Sequence, residues 1–280
     1  MWNVRGVDEA VEADSGPVDI RPAPFGRVRG PRDRRRAAVA PPMNVDLGRR
    51  ALAEALGTAL LVAIVVGSGI AAARLSTGDP GLALLENSIA TGAGLAALIL
   101  ALGPVSGAHL NPLVTLADRI LGGTTTAEAG VYVAAQAGGA CVGVMVANLM
   151  FDLPPITLST HTRASSGLWL GEVVAAFGLL VVILGVVRAG RSSSASFAVA
   201  GYIAAAYWFT SSTSFANPAV TIGRSLTDTF TGIAPSSVPA FVAAQVVGAL
   251  LAVGVARVLY PRIPAADLVV PHDAAPPAGG

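Results

Sequence analysis

The sequence predicts an all-α membrane protein: six transmembrane helices and two re-entrant half helices in an inverted 3+3 repeat. Three observations carry this prediction. Of 280 residues, 53% are hydrophobic and only 12% charged, about half the roughly 25% charge of a soluble domain. Six apolar stretches reach the ~20 residues that cross a bilayer. Three short sequence elements recur, in the same order, in the two halves of the chain.

Taken in order, residues 1–47 come first. They are rich in Pro, Gly, Arg and Asp and lack an apolar core, so they read as a disordered tail and not a signal peptide. All eighteen basic residues are Arg, and ten lie within residues 1–50. The run Arg32–Arg36 has no interleaved aromatics, so it reads as a cytoplasmic topology signal and not a nucleic-acid patch. Met43 is an alternative start. The membrane region follows over 48–262, with repeat 1 at about 48–150 and repeat 2 at about 167–262. Residues 263–280 read as a second disordered tail.

The spans fall at roughly 51–73, 82–103, 128–150, 168–188, 195–212 and 237–259. Their interiors are almost free of charge apart from Glu54, Glu86 and Glu172. Arg188 and Arg191 lie between the fourth and fifth spans, Arg119 between the second and third, and Arg257 and Arg262 at the C-terminal end. Together with the N-terminal tail they predict cytoplasmic termini. Arg74, Arg163 and Arg224 fall on the other side as a weaker counter-signal.

The repeat is read from three pairs. Glu54-Ala-Leu-Gly-Thr matches Glu172-Val-Val-Ala-Ala-Phe-Gly, Asn111-Pro-Leu-Val-Thr matches Asn217-Pro-Ala-Val-Thr, and Ala-Ala-Gln136 matches Ala-Ala-Gln245. Each half holds three spans, so the two copies have opposite orientations in the membrane. In each Asn-Pro pair, Asn is a good N-cap and Pro suits the first helical turn. These pairs predict short helices over about 111–119 and 217–226, too short to span. Entering from opposite faces, their positive ends would meet near the midplane, a barrier to cations and protons but not to neutral solutes. The two Asn amides would hydrogen-bond a passing hydroxyl.

Other candidates are set aside. Cys141 sits in an apolar run and reads as helix packing. His161 and His272 are isolated, and Asp228 reads as a loop carboxylate. Tyr207 and Trp208 read as interface or packing aromatics. No metal-ligand spacing and no nucleophile–base pair is present, so no cofactor, metal site, catalytic residue or enzymatic activity is expected.

The twin Asn-Pro boxes, the Ser106-Gly-Ala-His-Leu-Asn lead-in and the Glu-x-x-Gly-Thr opening resemble the major intrinsic protein family of aquaporins and aquaglyceroporins, over about residues 48–260. The resemblance implies the aquaporin fold and a pore constriction at Asn111, Pro112, Leu113, Asn217, Pro218 and Ala219. It implies that Glu54 and Glu172 brace the re-entrant loops, with His109 a loop-positioning hydrogen bonder. It further implies small neutral solutes and the lipid bilayer as partners, a homotetramer, no nucleic acid, and a plasma or inner membrane location.

Two departures from the family pattern stand out. Leu113 replaces the usual Ala, a larger group near the constriction. Val220 replaces the filter Arg that most of the family carries three residues after the second Asn. The remaining filter positions, aligned without gaps, fall at Thr91, Ala205 and Ser214. Such a filter would be small-sided and wide and would lack the fixed cation. The stretch from Tyr207 through Phe230 resembles a bacterial subgroup associated with arsenic resistance. The resemblance therefore implies a channel for arsenite and glycerol-like polyols. A general water and glycerol pore, or a non-conducting structural membrane protein, remain the alternatives.

Overall fold

The structure is a computed structural model, and it describes residues 45–260. The tails, with Arg32–Arg36, Met43, Arg262 and His272, lie outside the described residues. Eight helices follow one another: α1 (Leu47–Leu75), α2 (Pro80–Ser106), α3 (Pro112–Leu121), α4 (Thr126–Met150), α5 (Ser166–Arg188), α6 (Ala195–Phe209), α7 (Pro218–Arg224) and α8 (Val238–Leu259).

Local sequence starts and stops each of them. Asp46, Asp79 and Ser165 cap α1, α2 and α5 by accepting from backbone N–H groups, and Thr125 with Glu128 forms a capping box on α4. Gly107 and Gly122, both left-handed, end α2 and α3.

Helices α1, α2, α4, α5 and α8 (the last with its leading 3₁₀ turn) are each long and apolar enough to cross a membrane. The sixth, α6, has 15 residues and stops three short of the predicted 212. Thr210 is extended, because the chain must leave the helix there to form the loop that re-enters. The half helices also differ slightly from expectation: α3 runs to Leu121, and α7 is seven residues, about two turns.

The packing repeats with the sequence. Helix α1 packs on α2 and α4, and α5 packs on α6 and α8. Helix α2 meets α6 between the halves, while α3 rests on α4 and α8 and α7 on the same two. Close approach is made by missing side chains. A Cβ on Gly139 or Gly143 would run into the carbonyls of Ala55 and Ala59, and one on Gly248 into the Val173 carbonyl.

The two half helices enter from opposite faces. The Ile120 carbonyl at the end of α3 accepts from Arg257 near the end of α8, on the face where α1 begins. The end of α7 is held by the opposite face: Ser159 N–H donates to the Ser225 carbonyl, and Thr157 N–H to that of Leu226. Leu52, Leu56, Leu60, Ile89, Leu250 and Leu251 are exposed on the outside of the bundle, as a lipid-facing surface requires.

Candidate functional site

The site rests on two loops that are not regular. Backbone φ is positive at Gly107 (85°), Ala108 (46°) and Leu110 (48°), and again 106 positions later at Thr213 (61°), Ser214 (50°) and Ala216 (44°). A non-glycine residue in that region costs about 1–3 kcal/mol, so it persists only where its surroundings hold it.

Two carboxylates do the holding. Glu54 Oε1 accepts from the Ser106 hydroxyl (2.6 Å) and the His109 N–H (2.9 Å), and Oε2 from the Leu110 N–H (2.7 Å) and the Gln136 amide (2.8 Å). Glu172 Oε1 accepts from the Phe215 N–H (2.9 Å), and Oε2 from the Ala216 N–H (2.9 Å) and the Gln245 amide (2.6 Å). The two glutamines also donate to Thr115 and Thr221, one on each half helix. Both Glu side chains are fully buried. Loop N–H groups at membrane depth have no water to turn to, and these carboxylates take its place.

The half helices meet end to end. Each Asn caps its own helix through Oδ1: Asn111 accepts from Leu113 N–H, and Asn217 from Ala219 and Val220 N–H. Each then reaches across with Nδ2. Asn111 donates to the Ala216 carbonyl and Asn217 to the Leu110 carbonyl, both at 2.8 Å. An amide NH₂ has two hydrogens, so each Asn keeps one for the space beside it.

That space is a cavity of about 90 Å³, room for a short file of water-sized molecules at ~10–15 Å³ each. On α6 it touches Ala195, Val199, Ile203 and Tyr207, each four residues from the next. At 1.5 Å per residue it follows that helix for ~18 Å. Leu179, Ile183 and Val187 of α5 and Leu61, Val65, Leu95 and Ile99 complete an apolar wall. Facing it are the loop residues 107–111 and 214–217, both Asn included. Among the described residues no donor reaches the carbonyls of Gly107, Ala108, Ser214 or Phe215. Buried backbone acceptors need partners, and those in the cavity wall can take them from a solute.

The predicted filter residues Thr91, Ser214 and Val220 all line this cavity. Ala205 does not. It lies on the exposed outer side of α6, two residues and about 200° around the helix from Ile203. The pore face at that level belongs to Tyr207, which is buried and shares a 3.1 Å hydrogen bond with Thr91. Tyr207 is thus a lining residue, while Trp208 is half exposed and donates to Ser88. Within the Asn-Pro boxes only Asn111 and Asn217 line the cavity. Pro112, Leu113, Pro218 and Ala219 do not. Leu113 is buried in the apolar core, so its bulk is taken up by packing and does not narrow the passage.

One cation does lie in the cavity wall, four residues beyond the filter position at Val220. Arg224, counted from sequence only as an orientation charge, lines the cavity and is 3% exposed. Its guanidinium carbon sits 3.4 Å from the Phe215 ring centroid, and its Nε donates to the Thr231 carbonyl. The signal was present in the sequence: Arg224 lies four residues after Val220 on a predicted helix, hence on the same face.

At the other end, His109 Nδ1 is 3.0 Å from the Thr115 hydroxyl, and the ring packs edge-on to Tyr132. Tyr132 donates to the Ser106 carbonyl and accepts from Arg50, itself paired with Glu128. Asp228 stays outside the cavity lining and braces the loop near His161. The Thr160 N–H donated to its carboxylate holds it below the usual range. Among the described residues no three His, Cys, Asp or Glu side chains cluster.

Residues 43–207 match the family described as Major intrinsic protein. The chain is 52% identical over 220 residues to the aquaglyceroporin AqpS of Rhizobium meliloti (strain 1021), covering 78% of this chain and 94% of that protein. It is 32% identical over 126 residues to the probable aquaporin NIP7-1 of Arabidopsis thaliana, a match spanning 45% of that protein's length. Among solved structures, the aquaglyceroporin from Plasmodium falciparum superposes with a TM-score of 0.62. It is 23% identical, with 77% of this chain and 98% of that one covered, a likeness of fold.

Proposed function

The chain belongs to the major intrinsic protein family, and from that premise we propose a passive transmembrane channel that carries trivalent metalloid hydroxides (arsenite) and glycerol-like polyols. It is a multi-pass membrane protein of a family of channels, not an enzyme. The observation that carries the proposal is the cavity running along α6 past the crossed Asn111–Asn217 pair.

The cavity has two unlike sides, and so do its proposed solutes. A polyol offers hydroxyls to the loop carbonyls and the free Asn hydrogens while its carbon face slides along the apolar wall. Arsenous acid is a neutral trihydroxy species near neutral pH and presents the same groups. Each hydroxyl exchanges a water partner for a fixed one, so entry costs little. An ion would lose its hydration shell against an apolar wall, and a cation would also meet two half-helix N-termini. Exclusion of ions and protons follows from the same features as passage of neutral solutes.

Support for arsenite comes from the small side chains at Thr91, Ser214 and Val220 and from the subgroup resemblance of residues 207–230. The direction of flow is set by concentration alone. We further propose a homotetramer in the cell membrane with both termini cytoplasmic, on the Arg distribution and the family's habit of assembly. The test is uptake of arsenite, glycerol and water into vesicles carrying the purified protein, against empty vesicles. Fast arsenite and glycerol entry is expected. Water or glycerol entry without arsenite would reduce the proposal to a general pore.

A further inference from the structure

We propose that Arg224, one helical turn beyond Val220, is the fixed cation of this pore, and that with the Ser214 hydroxyl it forms a solute-binding step that selects neutral oxygen-bearing molecules over cations. The inference rests on the channel reading and adds its specificity-determining residues.

Four observations converge. Val220 and Arg224 both line the cavity, as residues four apart on one helix face must. Val220 is small enough to leave the guanidinium behind it open to the passage. The guanidinium is buried and ion-paired to no carboxylate among the described residues. Its one hydrogen bond is from Nε to the Thr231 carbonyl, which leaves both terminal nitrogens free to donate. Ser214 is 3% exposed and lines the same cavity, and its hydroxyl has no partner among the described residues. That hydroxyl is closed off in this rotamer, and a turn about its Cα–Cβ bond would offer it to a solute in the cavity.

The mounting is built for position. Phe215 carries the Arg224 guanidinium at 3.4 Å and that of Arg163 at 5.0 Å from its centroid. Successive carbonyls, Thr231 and Gly232, accept from the two Nε atoms. A guanidinium held over an aromatic face in a cavity wall, with hydrogen-bond capacity left on its terminal nitrogens, can donate to solute oxygens. Its charge, in a narrow apolar-walled passage, repels cations strongly because little water screens it.

The test uses urea and guanidinium ion, planar molecules of nearly equal size that differ in charge, with glycerol as the polyol. Fluxes are measured in vesicles carrying the full-length chain or its variants R224Q, R224K and S214A. The wild-type protein is expected to pass glycerol and urea and to exclude guanidinium. R224Q keeps a planar donor but loses the charge, and should raise guanidinium flux relative to urea by about tenfold or more. R224K keeps the charge and should still exclude guanidinium. S214A should slow glycerol by about threefold to tenfold, one hydrogen bond's worth, without admitting guanidinium. A guanidinium-to-urea ratio unchanged in R224Q overturns the inference while leaving the channel intact. So do equal losses of all fluxes in R224Q and R224K, because a merely structural role predicts that pattern. Wild-type protein that moves neither glycerol nor urea overturns the channel reading, and this inference with it.

Discussion

The two re-entrant loops are the same device with different ends. Offset by 106 residues, Ser106 matches Ser212, Leu110 matches Ala216, Asn111 matches Asn217, Val114 matches Val220 and Thr115 matches Thr221. The bracing is the same too, a buried Glu reaching two consecutive loop N–H groups and a Gln joining Glu to the half helix. The differences lie around it. His109 packs edge-on to Tyr132 in the first loop, and Phe215 packs edge-on to Phe241 in the second, each pair with centroids 5.3 Å apart. The position of Asp118 at the end of α3 is taken by Arg224 at the end of α7. The loop backbone must be satisfied without water on both sides of the membrane, so its supports are kept. The residues flanking it meet water or solute and can diverge.

The largest effects should come from breaking what the two halves share. Glu54→Ala and Glu172→Ala each leave buried N–H groups unpaired, at about 1–3 kcal/mol per group. Both variants should lose thermal stability in detergent, with Glu54→Ala the worse because Glu54 accepts four hydrogen bonds and Glu172 three. Equal stability of Glu172→Ala and wild type would mean that the second loop is held by something else.

Next come the paired valines. Val220→Arg adds a second guanidinium one turn from Arg224 and fills the gap through which that residue meets the passage. Glycerol and arsenite flux should fall by about tenfold or more, and water flux less, since like charges at ~6 Å force both side chains into the lumen. Val114→Arg, at the matching place in the first half, has Asp118 one turn on instead and should cut polyol flux by less. Equal losses in the two variants would show that bulk alone decides and that the terminal charges of α3 and α7 do not matter.

A subtler contrast concerns the midplane. Asn217→Asp places a carboxylate between the two half-helix N-termini and should raise the leak of monovalent cations several-fold, read with a sodium-sensitive dye. Asn111→Asp should do the same by symmetry. An unchanged leak in both would count against the meeting helix ends as the barrier.

Most of the fold was legible because membrane depth leaves few options. Apolar length fixed the number of spans, and the duplicated Glu, Asn-Pro and Gln fixed their symmetry. Boundaries slipped where tertiary structure intervenes, as at Thr210, where α6 ends early to free a loop. The predicted site residues that repeat are also the ones the fold brings together: Asn111 and Asn217 line one cavity, and the two Glu accept from the loop N–H groups. The readings that differ from the structure concern positions with only one copy. Ala205 was placed by counting along an alignment, but a helix face is set by steps of three and four, and those steps from Ala195 arrive at Tyr207. Arg224 was passed over because the search for a cation stopped at Val220. A turn of helix moves a side chain only ~5 Å, well within the reach of an arginine.

The smallest predicted effect isolates the ring pairs. Tyr132→Phe removes a hydroxyl that accepts from Arg50 and donates to the Ser106 carbonyl at 2.9 Å. That carbonyl sits directly before the turn into the first loop, and Arg50 keeps Glu128 as its remaining anchor at 3.0 Å. The loss should be about 1–2 kcal/mol, visible as a lowered melting temperature with glycerol flux little changed, because Tyr132 does not line the cavity. The reciprocal change, Phe241→Tyr, buries a new hydroxyl against Phe215 and Ile233, and should also destabilise, since a buried hydroxyl without a partner is costly. If Phe241→Tyr is neutral or stabilising, the second half holds a latent polar partner, and the divergence between the two loops reflects drift and not constraint.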